Sequence, residues 1–165
     1  MLKGISPLLS PELLATLCRM GHGDEIVLDA HFPGESLGVP VIRADGLKIA
    51  DLPGAILPLL ELDAYETSDA AAVAPVAMRE VAPGDVVGPA VETGYREVTD
   101  RWQPETPVIA QVERFAFYER ARSAFAVVMT GDVRQHANLI LKKGVTPTHT
   151  GNLANTDNTD NTTDL

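Results

Sequence analysis

The sequence has one cysteine, Cys18, in 165 residues, so no intrachain disulfide can form and nothing asks for an oxidising compartment. Basic residues are scarce as well: 13 Lys and Arg stand against 23 Asp and Glu, a formal net charge of −10. A general affinity for nucleic acid or for an anionic membrane is not expected, because the phosphate-driven part of such binding needs a basic surface. Long apolar runs are also missing. Leu52 to Leu60 is as long as any, and Pro53, Gly54 and Pro58 interrupt it, far short of the roughly 18 residues a membrane helix requires. The N-terminal segment has Lys3 but then Ser6, Pro7, Ser10, Pro11 and Glu12, with no apolar stretch and no small-residue cleavage pattern. A cytoplasmic location is the expectation.

Several functional signatures are absent too. There is no GxxxxGK[ST], no GxGxxG after a strand, no GxSxG, no HExxH and no CxxC. Nucleotide hydrolysis, nicotinamide binding, serine hydrolysis and zinc proteolysis all lose their first support.

What is present suits one globular domain, with 45% hydrophobic residues. The last twenty residues, 146–165, differ from the rest: they hold seven Thr, four Asn, three Asp and no aromatic residue. Such a segment buries too little apolar surface to offset ordering entropy, so a domain over 1–145 with a disordered polar tail over 146–165 is expected. The acidity belongs to the domain, which keeps 20 acidic and 13 basic residues.

Helical and strand patterns alternate within 1–145. Ser10-Pro11-Glu12 reads as an N-cap, a first-turn proline and a dipole-facing acid, followed by the stripe Leu13, Leu14, Leu17 and Cys18 and a stop near Gly21. Ile26-Val27-Leu28 and Val39 to Ile42 read as strands. A helix containing Ile56, Leu57, Leu59 and Leu60 is expected to start at Asp45 or Asp51, with Pro53 in its first turn and Pro58 kinking or ending it. Strands are expected at Ala72 to Met78, Val108 to Val112, Ala126 to Met129 and Leu139 to Leu141, and helices at Val91 to Asp100 and Phe117 to Phe125. Alternation of this kind, with strands written as continuous apolar runs, predicts an α/β fold: one central sheet covered by helices on both faces.

Ligands in such sheets sit beyond the carboxyl ends of strands. Asp29 follows Leu28, Arg114 follows Val112-Glu113, and Thr130-Gly131 follows Met129. His22 lies between two glycines at a helix-to-strand turn, where a permissive backbone brings an imidazole close to a ligand; an exposed turn histidine is the plainer account. Arg114 precedes the helical periodicity of Phe117, Ala121 and Ala124, so it is placed to offer its fork of donors to oxygen atoms. Asn138, at the end of the turn that starts at Thr130, carries a donor and an acceptor together, which suits a sugar hydroxyl as well as its own backbone. His22, Asp24, Asp29 and His31 are chemically able to hold a metal, yet their spacing fits no metal pattern, and no metal is expected.

These residues fall in blocks that resemble a known family. Ile5-Ser6-Pro7, Ser10-Pro11-Glu12-Leu13-Leu14, Met20-Gly21-His22-Gly23-Asp24-Glu25-Ile26, Asp29-Ala30-His31-Phe32-Pro33, Ile42-Arg43-Ala44-Asp45-Gly46, Arg114-Phe115-Ala116-Phe117-Tyr118-Glu119-Arg120-Ala121 and Lys142-Lys143-Gly144-Val145 are similar, in order, to the family of L-fucose mutarotases and D-ribose pyranase. The Ile42 and Arg114 blocks resemble the fucose branch more. The resemblance implies an isomerase that interconverts the α and β anomers of a free sugar, L-fucose before D-ribose, by ring opening and reclosure without a cofactor. It implies that His22 is the catalytic acid/base, and that Asp29, Arg114 and the segment His136, Ala137 and Asn138 bind the sugar. It also implies a ring-shaped homo-oligomer, often a decamer, with sites near subunit contacts. Pyranose–furanose conversion of D-ribose is the alternative activity, and a catalytically silent sugar-binding protein accompanying uptake is the reading from another class.

The chain departs from the family pattern twice. The segment from His22 to Asp29 is one residue shorter, which in a strand would turn later side chains to the other face unless the turn absorbs it. His136 also stands where the family has Tyr. An imidazole titrates about 3.5 units below a phenol on reference values, so an altered pH–rate profile is expected.

Overall fold

The computed structural model describes residues 2–29, 33–63, 76–79, 89–104, 109–134 and 137–146. In chain order the elements are α1 (Pro11–Arg19), β1 (Glu25–Asp29), a 3-10 turn (Gly34–Leu37), β2 (Val41–Ala44), α2 (Asp51–Ile56), β3 (Val76–Arg79), α3 (Pro89–Trp102), β4 (Ala110–Glu113), α4 (Arg114–Ala121), β5 (Ala126–Thr130) and β6 (Leu139–Lys142).

Local chemistry accounts for the element ends. The Ser10 hydroxyl accepts a hydrogen bond from the Leu13 N–H at 3.1 Å, which caps α1, and Pro11 takes the position where no N–H is needed. The second helix starts at Asp51 rather than Asp45 and closes before Pro58, which cannot continue it. The helix expected at Phe117 to Phe125 begins three residues earlier and ends at Ala121. Its N-cap is Glu113, whose carboxylate accepts from the N–H groups of Phe115 at 2.8 Å and Ala116 at 3.2 Å. Apolar periodicity had hidden that cap, because Arg114 and Phe115 lack the stripe character of the residues that follow. The strand expected from Val39 starts at Val41, and the helix expected at Val91 to Asp100 extends to Pro89 and Trp102. Residues 72–75 and 108 of two expected strands, and 147–165 of the expected tail, lie outside the described residues.

The strands form one sheet in the order β2-β5-β1-β6-β3-β4. β1 and β2 run parallel to β5, β3 runs parallel to β4, and β6 is antiparallel to both of its neighbours, β1 and β3. Five strands therefore point one way and β6 the other. Alternation along the strands separates two faces. On the first, Ile26, Leu28, Val128, Leu139 and Leu141 pack with Leu13 and Leu17 of α1, Leu52 and Ile56 of α2 and Tyr95 of α3. On the second, Val27, Val127 and Ile140 pack with Phe117 and Ala121 of α4. The sheet is thus covered by helices on both faces, as the patterning predicts. Arg120 of α4 pins that helix to the start of β1: its Nε lies 2.9 Å and 3.0 Å from the two Glu25 carboxylate oxygens.

Candidate functional site

The mixed topology gathers polar residues at one edge of the sheet, where the carboxyl ends of β1, β4 and β5 meet the amino end of β6. The antiparallel register of β1 and β6 ends in the pair Leu28 and Leu139, with Asp29 closing β1 on one side of that pair and Asn138 leading into β6 on the other. Asp29 shares the parity of Val27 and so belongs to the second face, and Asn138 adjoins the same edge. Both are 2% exposed. A Cβ added to Gly34 would stand 3.0 Å from Val127 Cγ1 and 3.4 Å from Asp29 Oδ2, which places the Asp29 carboxylate on that face. The strand end is held by Thr130, whose hydroxyl donates to the Asp29 carbonyl at 2.6 Å.

Arg114 opens α4, the helix that covers the second face. It shares a stripe with Phe117 and Ala121, at i, i+3 and i+7, and lies one turn closer to the polar edge than the buried Phe117. Its guanidinium carbon is 4.8 Å from the centroid of the Phe115 ring. Arg43, on the same register row as Met129 and Asp29, brings a second cation toward this edge. It is exposed and engages Asp45, with Nε 3.2 Å from Oδ2, and this hydrogen bond holds the Asp45 carboxyl below its usual range.

Ala137 is fully buried in the first-face core, and its carbonyl accepts from the Tyr95 hydroxyl at 2.6 Å. Burial pushes the Tyr95 phenol well above its ordinary range, so it remains a donor. His136, together with His31 and its neighbours Ala30 and Phe32, lies outside the described residues.

His22 is not at this edge. It sits in the Gly21–Asp24 turn at the amino end of β1, and Asp29 closes the same strand at its carboxyl end. Four rises of about 3.3 Å put the two strand ends about 13 Å apart. The carboxylate beside His22 is instead Asp63, whose Oδ1 lies 3.6 Å from the imidazole Nε2. The His22 side chain is 49% exposed and that of Asp63 only 4%. Sequence pattern had not marked Asp63. It ends the Glu61-Leu62-Asp63 segment after an apolar run, and only its contact with the end of β6 brings it to His22.

One chain thus carries two polar edges: Asp29, Asn138 and Arg114 at one, His22 and Asp63 at the other. No group of three or more potential metal ligands is found among the described residues. No helix among them is long and apolar enough to cross a membrane.

Comparison with known proteins agrees with this architecture. FucU from Bifidobacterium longum is 40% identical, with a TM-score of 0.78 over 88% of this chain and 100% of that one. A fucose mutarotase from Streptococcus pneumoniae, solved in complex with L-fucose, is 39% identical, with a TM-score of 0.77 over 88% of this chain and 100% of that one. RbsD from Bacillus subtilis, complexed with D-ribose, has the same fold at 21% identity, with a TM-score of 0.63 over 89% and 100% of the two chains. Residues 3–146 match the family described as the RbsD / FucU transport protein family. With that match across nearly all of the described residues, the chain belongs to the RbsD / FucU family.

Proposed function

We propose that this protein is a mutarotase that interconverts the α and β anomers of L-fucose. The observation that carries the proposal is the buried pair of polar residues, Asp29 and Asn138, on either side of the last rung of the β1–β6 ladder at the edge where α4 starts, in a chain 39% identical to a fucose mutarotase solved in complex with L-fucose. The RbsD relative complexed with D-ribose is 21% identical, and that likeness extends to the fold, so D-ribose serves as the comparison substrate.

In the proposed reaction His22 takes the proton from the anomeric hydroxyl. The freed electron pair forms the C1 carbonyl, the bond from C1 to the ring oxygen breaks, and the ring oxygen takes up the proton that the imidazolium gives back. Attack of that hydroxyl on the other face of the carbonyl, with its proton passing through His22 to O1, gives the other anomer. One imidazole can both take and give a proton, so the same ring serves both directions. Asp29 and Asn138 accept from and donate to the sugar hydroxyls, and the planar fork of Arg114 holds a further pair of oxygens. His136 and Ala137 complete the sugar-binding segment in this proposal, and domain 1–145 carries all of it.

The two edges of one chain are too far apart for one monosaccharide to touch both His22 and Asp29, because a general base must come within hydrogen-bond reach of its proton. We therefore propose that the working site is shared between two copies: His22 from one, and Asp29, Arg114 and Asn138 from the other. A closed ring of subunits supplies that arrangement at every contact. A cytoplasmic location belongs to the same proposal.

Magnetisation transfer between the α and β anomeric protons of L-fucose tests the function. Wild type is expected to accelerate exchange, and His22→Ala to lose at least about 100-fold of that acceleration. No acceleration by wild type would sink the proposal.

A further inference from the structure

The turn that carries His22 is closed from within: the Asp24 N–H donates to the Gly21 carbonyl at 3.2 Å, and the Gly21 N–H donates to Asp24 Oδ2 at 2.7 Å. It is tied to the end of β6 by the Gly23 N–H, which donates to the Lys143 carbonyl at 2.8 Å, with Gly23 at a φ of +87° that favours glycine. The same stretch of β6 fixes Asp63. The Asp63 N–H donates to the Lys142 carbonyl at 3.0 Å, and the Gly144 N–H donates to the Glu61 carbonyl at 2.7 Å. The Lys142 ammonium lies 3.2 Å from Asp63 Oδ2, leaving Oδ1 toward His22 Nε2. A buried carboxylate is costly unless its charge is compensated, and here a cation stands on one oxygen and a titratable ring near the other.

We infer that Asp63 is the positioning residue for His22: its carboxylate orients the imidazole from the Nε2 side and stabilises the imidazolium formed when the ring takes the sugar's proton. Lys142 sets the strength of this contact by sharing the carboxylate. The inference rests on the mutarotase proposal for what His22 does, but the pairing of the three side chains does not. The other charged groups near the ring are committed elsewhere in part: Asp24 accepts from Gly21, and the Lys143 ammonium donates to the Met20 carbonyl at 2.6 Å. Asp63 itself touches no sugar in this scheme.

The test uses the full chain. The first arm follows the His22 ring by NMR titration without sugar, in wild type, Asp63→Asn and Lys142→Gln. Removing the carboxylate should move the midpoint down and removing the ammonium should move it up, since each changes the charge facing the imidazole in the opposite sense. An unmoved midpoint, or shifts of the same sign in both variants, overturns the inference. Should Asp63→Asn fail to fold, the upward shift in Lys142→Gln still decides, and its absence overturns the pairing. The second arm measures L-fucose anomer exchange. Asp63→Asn is expected to lower kcat on the order of 10-fold with KM within about 2-fold, and to cost nothing further in a His22→Ala background. An added loss in that background assigns Asp63 a role independent of His22 and overturns the inference. Opposed titration shifts in a protein that does not accelerate exchange would uphold the pairing while sinking the mutarotase proposal.

Discussion

The Tyr95 hydroxyl donates to the Ala137 carbonyl at 2.6 Å, and this bond ties α3 to the segment that leads into Asn138 and β6. Tyr95 is 1% exposed, so its loss would strand a buried carbonyl. Tyr95→Phe is expected to destabilise the protein by about 1–3 kcal/mol, measured by urea unfolding. Because Ala137 adjoins Asn138, KM for L-fucose should rise while the acid/base step at His22 is left alone. An unchanged KM would detach this bond from the sugar site.

Mixing two inactive variants addresses the shared site. His22→Ala and Arg114→Ala each damage a different edge of the chain, and each alone should show little exchange activity. Co-assembled in equal amounts, about one quarter of the contacts should pair an intact His22 edge with an intact Arg114 edge and recover activity. No recovery on mixing, with mixed assembly verified by mass, would place all the residues of a site in one copy.

Gly144 marks a close approach of chains. An added Cβ there would lie 2.4 Å from the Leu62 carbonyl oxygen and 2.9 Å from the Asp63 nitrogen, both backbone atoms that cannot swing aside. Gly144→Ala should therefore destabilise by about 1–3 kcal/mol and, by displacing Asp63, slow exchange. Retention of both wild-type stability and rate would show that the 61–63 segment yields without consequence.

Acid stability has a local source at Asp132. Its carboxyl accepts from Arg134 Nε at 2.9 Å and from the Ile49 N–H at 3.1 Å, and the Arg134 hydrogen bond is the main cause that holds it down at about 2. A carboxyl depressed in the folded state stabilises above its unfolded value and loses that contribution as pH falls through the folded one. The contribution, about 2 kcal/mol, should be complete above pH 4 and fade between about pH 4 and 2. Asp132→Asn should be less stable than wild type at pH 7, with the gap closing near pH 2 in denaturant titrations. A gap independent of pH would assign the effect to packing.

Much of the site was legible in the sequence because its signals are local. Gly-His-Gly at a helix-to-strand turn, an acid at a strand end and an arginine before a helical stripe depend on neighbours within a few residues. Asp63 was not legible. Nothing within four residues distinguishes it from any polar residue closing an apolar run, and its partners, His22 and Lys142, lie 41 and 79 positions away in the chain. Glu113 was missed for a different reason: its cap is made by a side chain that periodicity counts as strand polarity.

The sequence by itself determined the alternation of strands and helices, the core residues Val27, Phe117 and Ile140, and the set of side chains able to handle a sugar, since periodicity and residue chemistry are properties of short windows. Tertiary structure alone decided which of those side chains meet. Reversing one strand, β6, brings Asn138 to the edge where Asp29 lies and carries Lys142 to the opposite edge beside Asp63 and His22, because an antiparallel ladder pairs the start of one strand with the end of the other. That separation of His22 from Asp29 along β1 is a matter of strand direction and length, which residue identities alone do not state.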